Sequence, residues 1–137
     1  MKMLGTKTYI FAIFITFFIS NSYSNDLKST GIYSSLSYNN EGGDLLGIEI
    51  LVFLGDIGYF VLFQSAEGEP YRPEVIPAKI NGNIIKFTLS DKNKGYSGEF
   101  IGEFNSTGLS GQFSNGQLSP FGKKKVKLLK GQSYWQR

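Results

Sequence analysis

The chain has no cysteine, no histidine and a single tryptophan in 137 residues. Without cysteine no disulfide forms, although an oxidising compartment would allow one. A lipidated cysteine at a processing site is excluded as well, so the product is expected to be soluble rather than lipid-anchored. Without histidine the commonest general base and the commonest metal ligand are both missing. Serine nucleophiles are then left with Ser–Lys variants, and no Ser-x-x-Lys motif occurs. There is no Gly-x-Gly-x-x-Gly and no P-loop, and Gly42-Gly43 precedes a strand rather than a helix, so phosphate cradling has no support. No cofactor is expected.

What is present begins with an address. Lys2 and Lys7 flank the start, and Tyr9 to Ile19 is apolar except for Thr16. Small residues follow at Ser22 and Ser24. That is the three-part layout of a secretory signal peptide, with cleavage expected before Asn25. The apolar run falls short of the ~20 residues needed to cross a bilayer. The expected organisation is a signal peptide at 1–24 and one domain at 25–137, exported to the periplasm or secreted. The mature part of about 113 residues can bury a core unaided. Lys2 and Lys7 leave with the signal peptide, so 12 basic side chains face 11 acidic ones. That balance, with the export signal, disfavours nucleic acid as a partner.

The mature signals are almost all β. Gly31 to Tyr38 is β-prone, with Ile32, Ser34, Leu36 and Tyr38 on one face. Asn39 to Gly43 is a turn cluster. Leu45 to Leu54 is a long apolar run, Gly55 to Gly58 interrupts it, and Tyr59 to Phe63 resumes it, which predicts a hairpin. Ala66 to Pro73 reads as a loop, and Glu74 to Ile80 as a strand in which Pro77 demands an edge or a bulge. Asn81-Gly82 predicts a type I′ turn, and Ser90 to Gly95 a polar one. From Tyr96 to Phe104 the alternation is clean: Tyr96, Gly98, Phe100, Gly102 and Phe104 share a face. Gly108 to Phe113 echoes that style. In-strand glycines at Gly98, Gly102 and Gly111 imply bends or close approach. Lys123 to Lys130 closes the chain, with Val126 and Leu128 inward and Lys125 and Lys127 outward. The fold class is all-β: an antiparallel meander of about eight strands, barrel-like, of a length that can close into a small barrel and so remove exposed edges, with barrel or sandwich closure left open.

The Gly31-x-Tyr33 start, Gly43-Asp-Leu-Leu-Gly47, Phe63-Gln-Ser-Ala-Glu-Gly68 and the closing Ser133-Tyr-Trp-Gln136 resemble small exported bacterial proteins that have no assigned activity. Their meander is similar to calycin-type barrels, so the resemblance implies a fold and no chemistry. The early Gly-x-Trp motif of lipocalins proper is absent, because Trp135 is the only tryptophan.

Three segments are candidates for function. Glu49 lies inside the apolar run; if Asp56-Ile57 is the hairpin tip, it sits opposite Gln64. A buried carboxylate must be hydrogen-bonded or neutralised. It serves as a polar anchor in a ligand pocket, as half of a structural Glu–Gln pair, or as a solvent-facing glutamate on the outer sheet face. The loop with Glu67, Glu69, Tyr71 and Arg72 offers carboxylates for acid/base work or for Ca²⁺, but lacks the regular oxygen offsets of an EF-hand. Lys123 to Lys130 is either an anion-binding stripe, with membrane-surface contact the less favoured use, or lysine guarding a strand edge.

The expected function is a non-catalytic binding module. It would take a small amphipathic ligand at the barrel mouth, lined by Tyr59, Phe60, Phe63 and Gln64 with Glu49 and Glu67. The alternative is a protein-interaction or inhibitor-type envelope protein, or a homodimer, using an apolar outer face. An acid/base hydrolase based on Glu49 or Glu67 comes third. The hairpin is apolar on both sides, so one side needs a cover other than water. The side that carries Glu49 is expected to be the contact face, since core positions rarely hold an unpaired carboxylate.

Overall fold

Alternation sends successive side chains of a strand to opposite faces, and here it builds both a core and an outer face. The computed structural model describes residues 28–90, 96–114 and 125–137. The expected signal peptide, Asp91 to Gly95 of the polar turn, and Lys123 and Lys124 of the last strand lie outside the described residues.

The described residues form nine strands. They are β1 (Gly31–Ser34), β2 (Ser37–Asn39), β3 (Asp44–Gly55), β4 (Gly58–Pro70), β5 (Glu74–Asn81), β6 (Ile84–Leu89), β7 (Gly98–Asn105), β8 (Gly108–Phe113) and β9 (Lys125–Gly131). From β3 to β9 each strand pairs antiparallel with the next. β1 pairs with β9 on one side and with β3 on the other, so eight strands close into a barrel. β2 is the extra strand, paired with the start of β3.

The inward set of β3 is Ile48, Ile50 and Val52, all buried with Val61 and Phe63 of β4. The rest of the interior mixes the aliphatic Ile76, Ile85, Leu89, Leu109 and Leu128 with aromatic rings. Phe100 stacks on Phe87 with centroids 4.8 Å apart and meets Phe113 at 4.9 Å. Each such contact adds ~0.5–1.5 kcal/mol to the burial itself. Gly102 and Gly111 pair across β7 and β8 beneath the Phe100 ring. A Cβ would stand 2.6 Å from that ring at Gly102 and 2.4 Å from it at Gly111. The in-strand glycines there serve close approach, as their position in the alternation predicts. Tyr33 enters the core from β1, and its hydroxyl donates to the Ser29 carbonyl at 2.9 Å. Burial pushes that hydroxyl up to about 12, so it remains a donor at neutral pH.

Three local expectations are corrected. Gly31 to Tyr38 is two strands, not one. The chain breaks at Ser35-Leu36, opposite Gly47, whose φ of 115° and whose missing Cβ make room for the Ser35 carbonyl. β4 does not end at Phe63 but runs to Pro70, because Ala66, Glu67 and Gly68 stay in register with Gly47, Leu46 and Leu45. The expected loop at Ala66 to Pro73 therefore shrinks to Tyr71–Pro73. The β5–β6 turn is centred on Gly82-Asn83, since Asn81 pairs with Ile84. Only Gly82 has positive φ (58°), which is the type II′ pattern rather than I′. After β9 the chain makes a 3₁₀ turn (Tyr134–Gln136).

Gly82→Val is expected to cost about 1–3 kcal/mol, the range for a strained backbone position. A Cβ at Gly82 meets nothing within 4 Å, so the whole effect comes from φ. Denaturant titration checks it; an unshifted midpoint would contradict the turn geometry.

Candidate functional site

The β3–β4 hairpin is apolar on both faces, and closing the barrel buries only one of them. The other forms rows across the outside of the wall. Ile32, Leu51, Leu62 and Val75 are successive cross-strand partners over β1, β3, β4 and β5. Phe53, Phe60 and Pro77 form the next row, with the two rings stacked at 5.8 Å. On the other side lies a polar row, Ser34, Glu49 and Gln64. The hairpin tip is Asp56-Ile57, and Glu49 does stand opposite Gln64.

The polar row is covered by the chain's own C-terminus. Ser133 precedes the 3₁₀ turn with φ −59° and ψ 143°, and its hydroxyl accepts from the Trp135 amide at 3.3 Å. The same hydroxyl donates to Glu49 Oε1 at 2.5 Å, and the Tyr134 amide donates to Glu49 Oε2 at 2.8 Å. Trp135 Nε1 donates to Gln64 Oε1 at 2.9 Å, and Gln64 Nε2 donates to the Tyr71 carbonyl at 3.1 Å. Glu49 is thereby buried to 9% exposure, with a donor on each oxygen. Beside it Leu36, Leu45 and Ala66 form a second small core, and Tyr134 packs onto them. Between this clasp and the apolar row runs a groove of 240 Å³. Its apolar lining is Ile32, Leu51 and Leu62, and its polar lining is Glu49, Gln64 and Gln136. That is below the ~300–1,000 Å³ of most small-molecule pockets.

The residues expected at the barrel mouth do not converge. Phe63 is fully buried, with its ring packed edge-on against Phe113 and Tyr96. Tyr59 packs against the same core. Phe60 and Gln64 point outward instead. The reason is the period of two: positions one or three apart cannot share a face. Glu67 is exposed on the stretch of β4 paired with Leu46, on the opposite side of the hairpin from Glu49 and Gln64. The two carboxylates considered for acid/base chemistry thus do not share a cleft.

Sequence reasoning missed the part played by Ser133, Tyr134 and Trp135. Its available signal was a serine set as an N-cap before two aromatic residues, together with an outward Glu–Gln pair in need of donors.

No family model matches the chain, and neither a curated protein nor a solved structure does.

Proposed function

We propose that this is an exported, non-catalytic binding module that takes the apolar surface of a protein partner, a second copy included, on the outer face of β1, β3, β4 and β5. The observation that carries this reading is the row Ile32–Leu51–Leu62–Val75 flanked by Phe53, Phe60 and Pro77. Val75, at the end of the row, is 59% exposed, and Ile57 at the hairpin tip is 83% exposed. A contiguous apolar patch of this kind on an exported domain marks a contact surface. The opposite wall is unlike it: Lys86, Thr88, Glu99, Glu103, Lys125 and Lys127 are exposed there. Rings filling the interior leave the outer face as the place for a partner, which favours interaction over a ligand held within the barrel. The layout of residues 1–24 supports export.

Leu51 is the residue to test, because it stands in the middle of the row and outside the core. Leu51→Lys should weaken self-association or partner capture by about tenfold or more, since each 1.4 kcal/mol of lost apolar contact is a factor of ten. Its far-UV circular dichroism should stay native. Sedimentation of both proteins over a concentration series reads the effect. Unfolding of the variant, or equal association by both, would count against the reading.

A further inference from the structure

Among the described residues the barrel wall opens between β5 and β6, and the opening carries charge. β5 pairs with β4 from Glu74 to Ala78, but with β6 only from Lys79 to Asn81. Beyond the Lys79–Lys86 pair, Ala78, Pro77 and Ile76 have no ladder partner on β6, and Phe87, Thr88 and Leu89 have none on β5. Pro77 has no N–H to offer a ladder here, which accounts for the break. At the far end Ser90 Oγ donates to Glu74 Oε2 at 2.9 Å across the gap. The opening is thus bounded at both ends, by a strand pair and by a side-chain hydrogen bond. It forms a groove of 550 Å³, within the range of small-molecule sites. Its deep side is apolar: Ile76 and Phe87 line it, both core residues. Its rim holds Lys79, Lys86, Thr88 and Glu99, all exposed.

The lysines are the informative part. Lys79 and Lys86 are direct cross-strand partners, so two like charges stand on adjacent Cβ atoms, an arrangement that disfavours pairing. Neither has an ion-pair partner among the described residues. Two unneutralised ammonium groups at one end of an apolar slot complement one kind of ligand: an anionic head with an apolar tail. We infer that the β5–β6 seam binds a single-chain amphipathic anion, its head between Lys79 and Lys86 and its chain along Ile76 and Phe87. This is independent of the outer-face reading, because Leu51 does not line the seam.

The test uses the mature chain and dodecanoate below its micelle concentration, followed by calorimetry. One dodecanoate should bind per chain, acetate should not bind, and dodecanol should bind more weakly. Lys79→Gln with Lys86→Gln should weaken dodecanoate by about tenfold or more, as expected for two lost charge-assisted contacts. Glu99→Gln should tighten it, because that carboxylate lines the same groove and repels an anion. Circular dichroism of each variant should be native, since all three side chains are on the surface. The inference is overturned if dodecanoate does not bind, if the lysine variant binds it as well as the parent, or if Glu99→Gln leaves affinity unchanged. It is also overturned if vesicles of phosphatidylglycerol bind in a lysine-dependent way while monomeric dodecanoate does not.

Discussion

Gly108→Ala should leave little folded protein. Gly108 opens β8 and is buried. A Cβ there would stand 1.9 Å from the Leu128 carbonyl oxygen, 2.9 Å from its carbon and 3.1 Å from Leu129 Cα. All three are backbone atoms of β9, so no side chain can swing away. Nor can β8 retreat. Asn105 Oδ1 accepts from Thr107 N at 3.0 Å, Thr107 Oγ1 at 2.8 Å and Gly108 N at 2.9 Å, which anchors the start of the strand. Moving β9 instead would disturb its pairing with β1, where the barrel closes. Overpacking usually costs ~1–3 kcal/mol and more when only backbone can yield. An effect of ~3–5 kcal/mol is expected, against a total stability of ~5–15 kcal/mol for a domain. Urea unfolding followed by circular dichroism measures it. Gly131→Ala is the control: nothing lies within 4 Å of its added Cβ, so its midpoint should hold. Equal midpoints for the two variants would refute the close approach of β8 and β9.

The contrast between those two glycines shows what was legible in the sequence. Alternation along Tyr96 to Phe104 and along the last strand exposes the inward residues, because a period of two is local information. The tip at Asp56-Ile57 is equally local, and it sets the Glu49–Gln64 register seven residues away. Nothing local distinguishes Gly108 from Gly131, since the difference is the proximity of another strand's backbone. The same limit explains the end of β4. Ala66 to Pro70 is polar and turn-like in composition, yet Ala66 to Gly68 are held as strand by pairing to Leu45–Gly47. It explains the β5–β6 seam as well: Pro77 signals an unpaired side, but which neighbour departs depends on the order of strands. Glu49 was recognisable as a carboxylate in need of donors. That the donors arrive from Ser133 and Tyr134, at the other end of the chain, depends on where β9 ends.

Glu49→Ala should release the C-terminal turn while the barrel stays closed. The carboxylate holds Ser133 and Tyr134 by two hydrogen bonds, and both oxygens are used. Hydrogen bonds to a charged group contribute about 1.5–3 kcal/mol each when buried, and Glu49 is nearly so, so a loss of roughly 3 kcal/mol is expected. Ser133→Ala removes one donor and leaves the Tyr134 amide in place, so about half of that should be lost. Glu49→Gln keeps the shape but turns one acceptor into a donor, which then faces either the Ser133 hydroxyl or the Tyr134 amide. A value between the two is expected. Trp135, the only tryptophan, reports on this site directly through its bond to Gln64. Its emission should shift to the red in Glu49→Ala and become easier to quench, while far-UV circular dichroism stays β. Leu36, Leu45 and Ala66 then lose the cover that Tyr134 provides. The apolar outer face grows, so this variant should associate more strongly than the parent, whereas Leu51→Lys should associate less. Native-like Trp135 emission together with unchanged stability in Glu49→Ala would mean that the turn is held by Tyr134 packing alone and that the polar row is not a clasp.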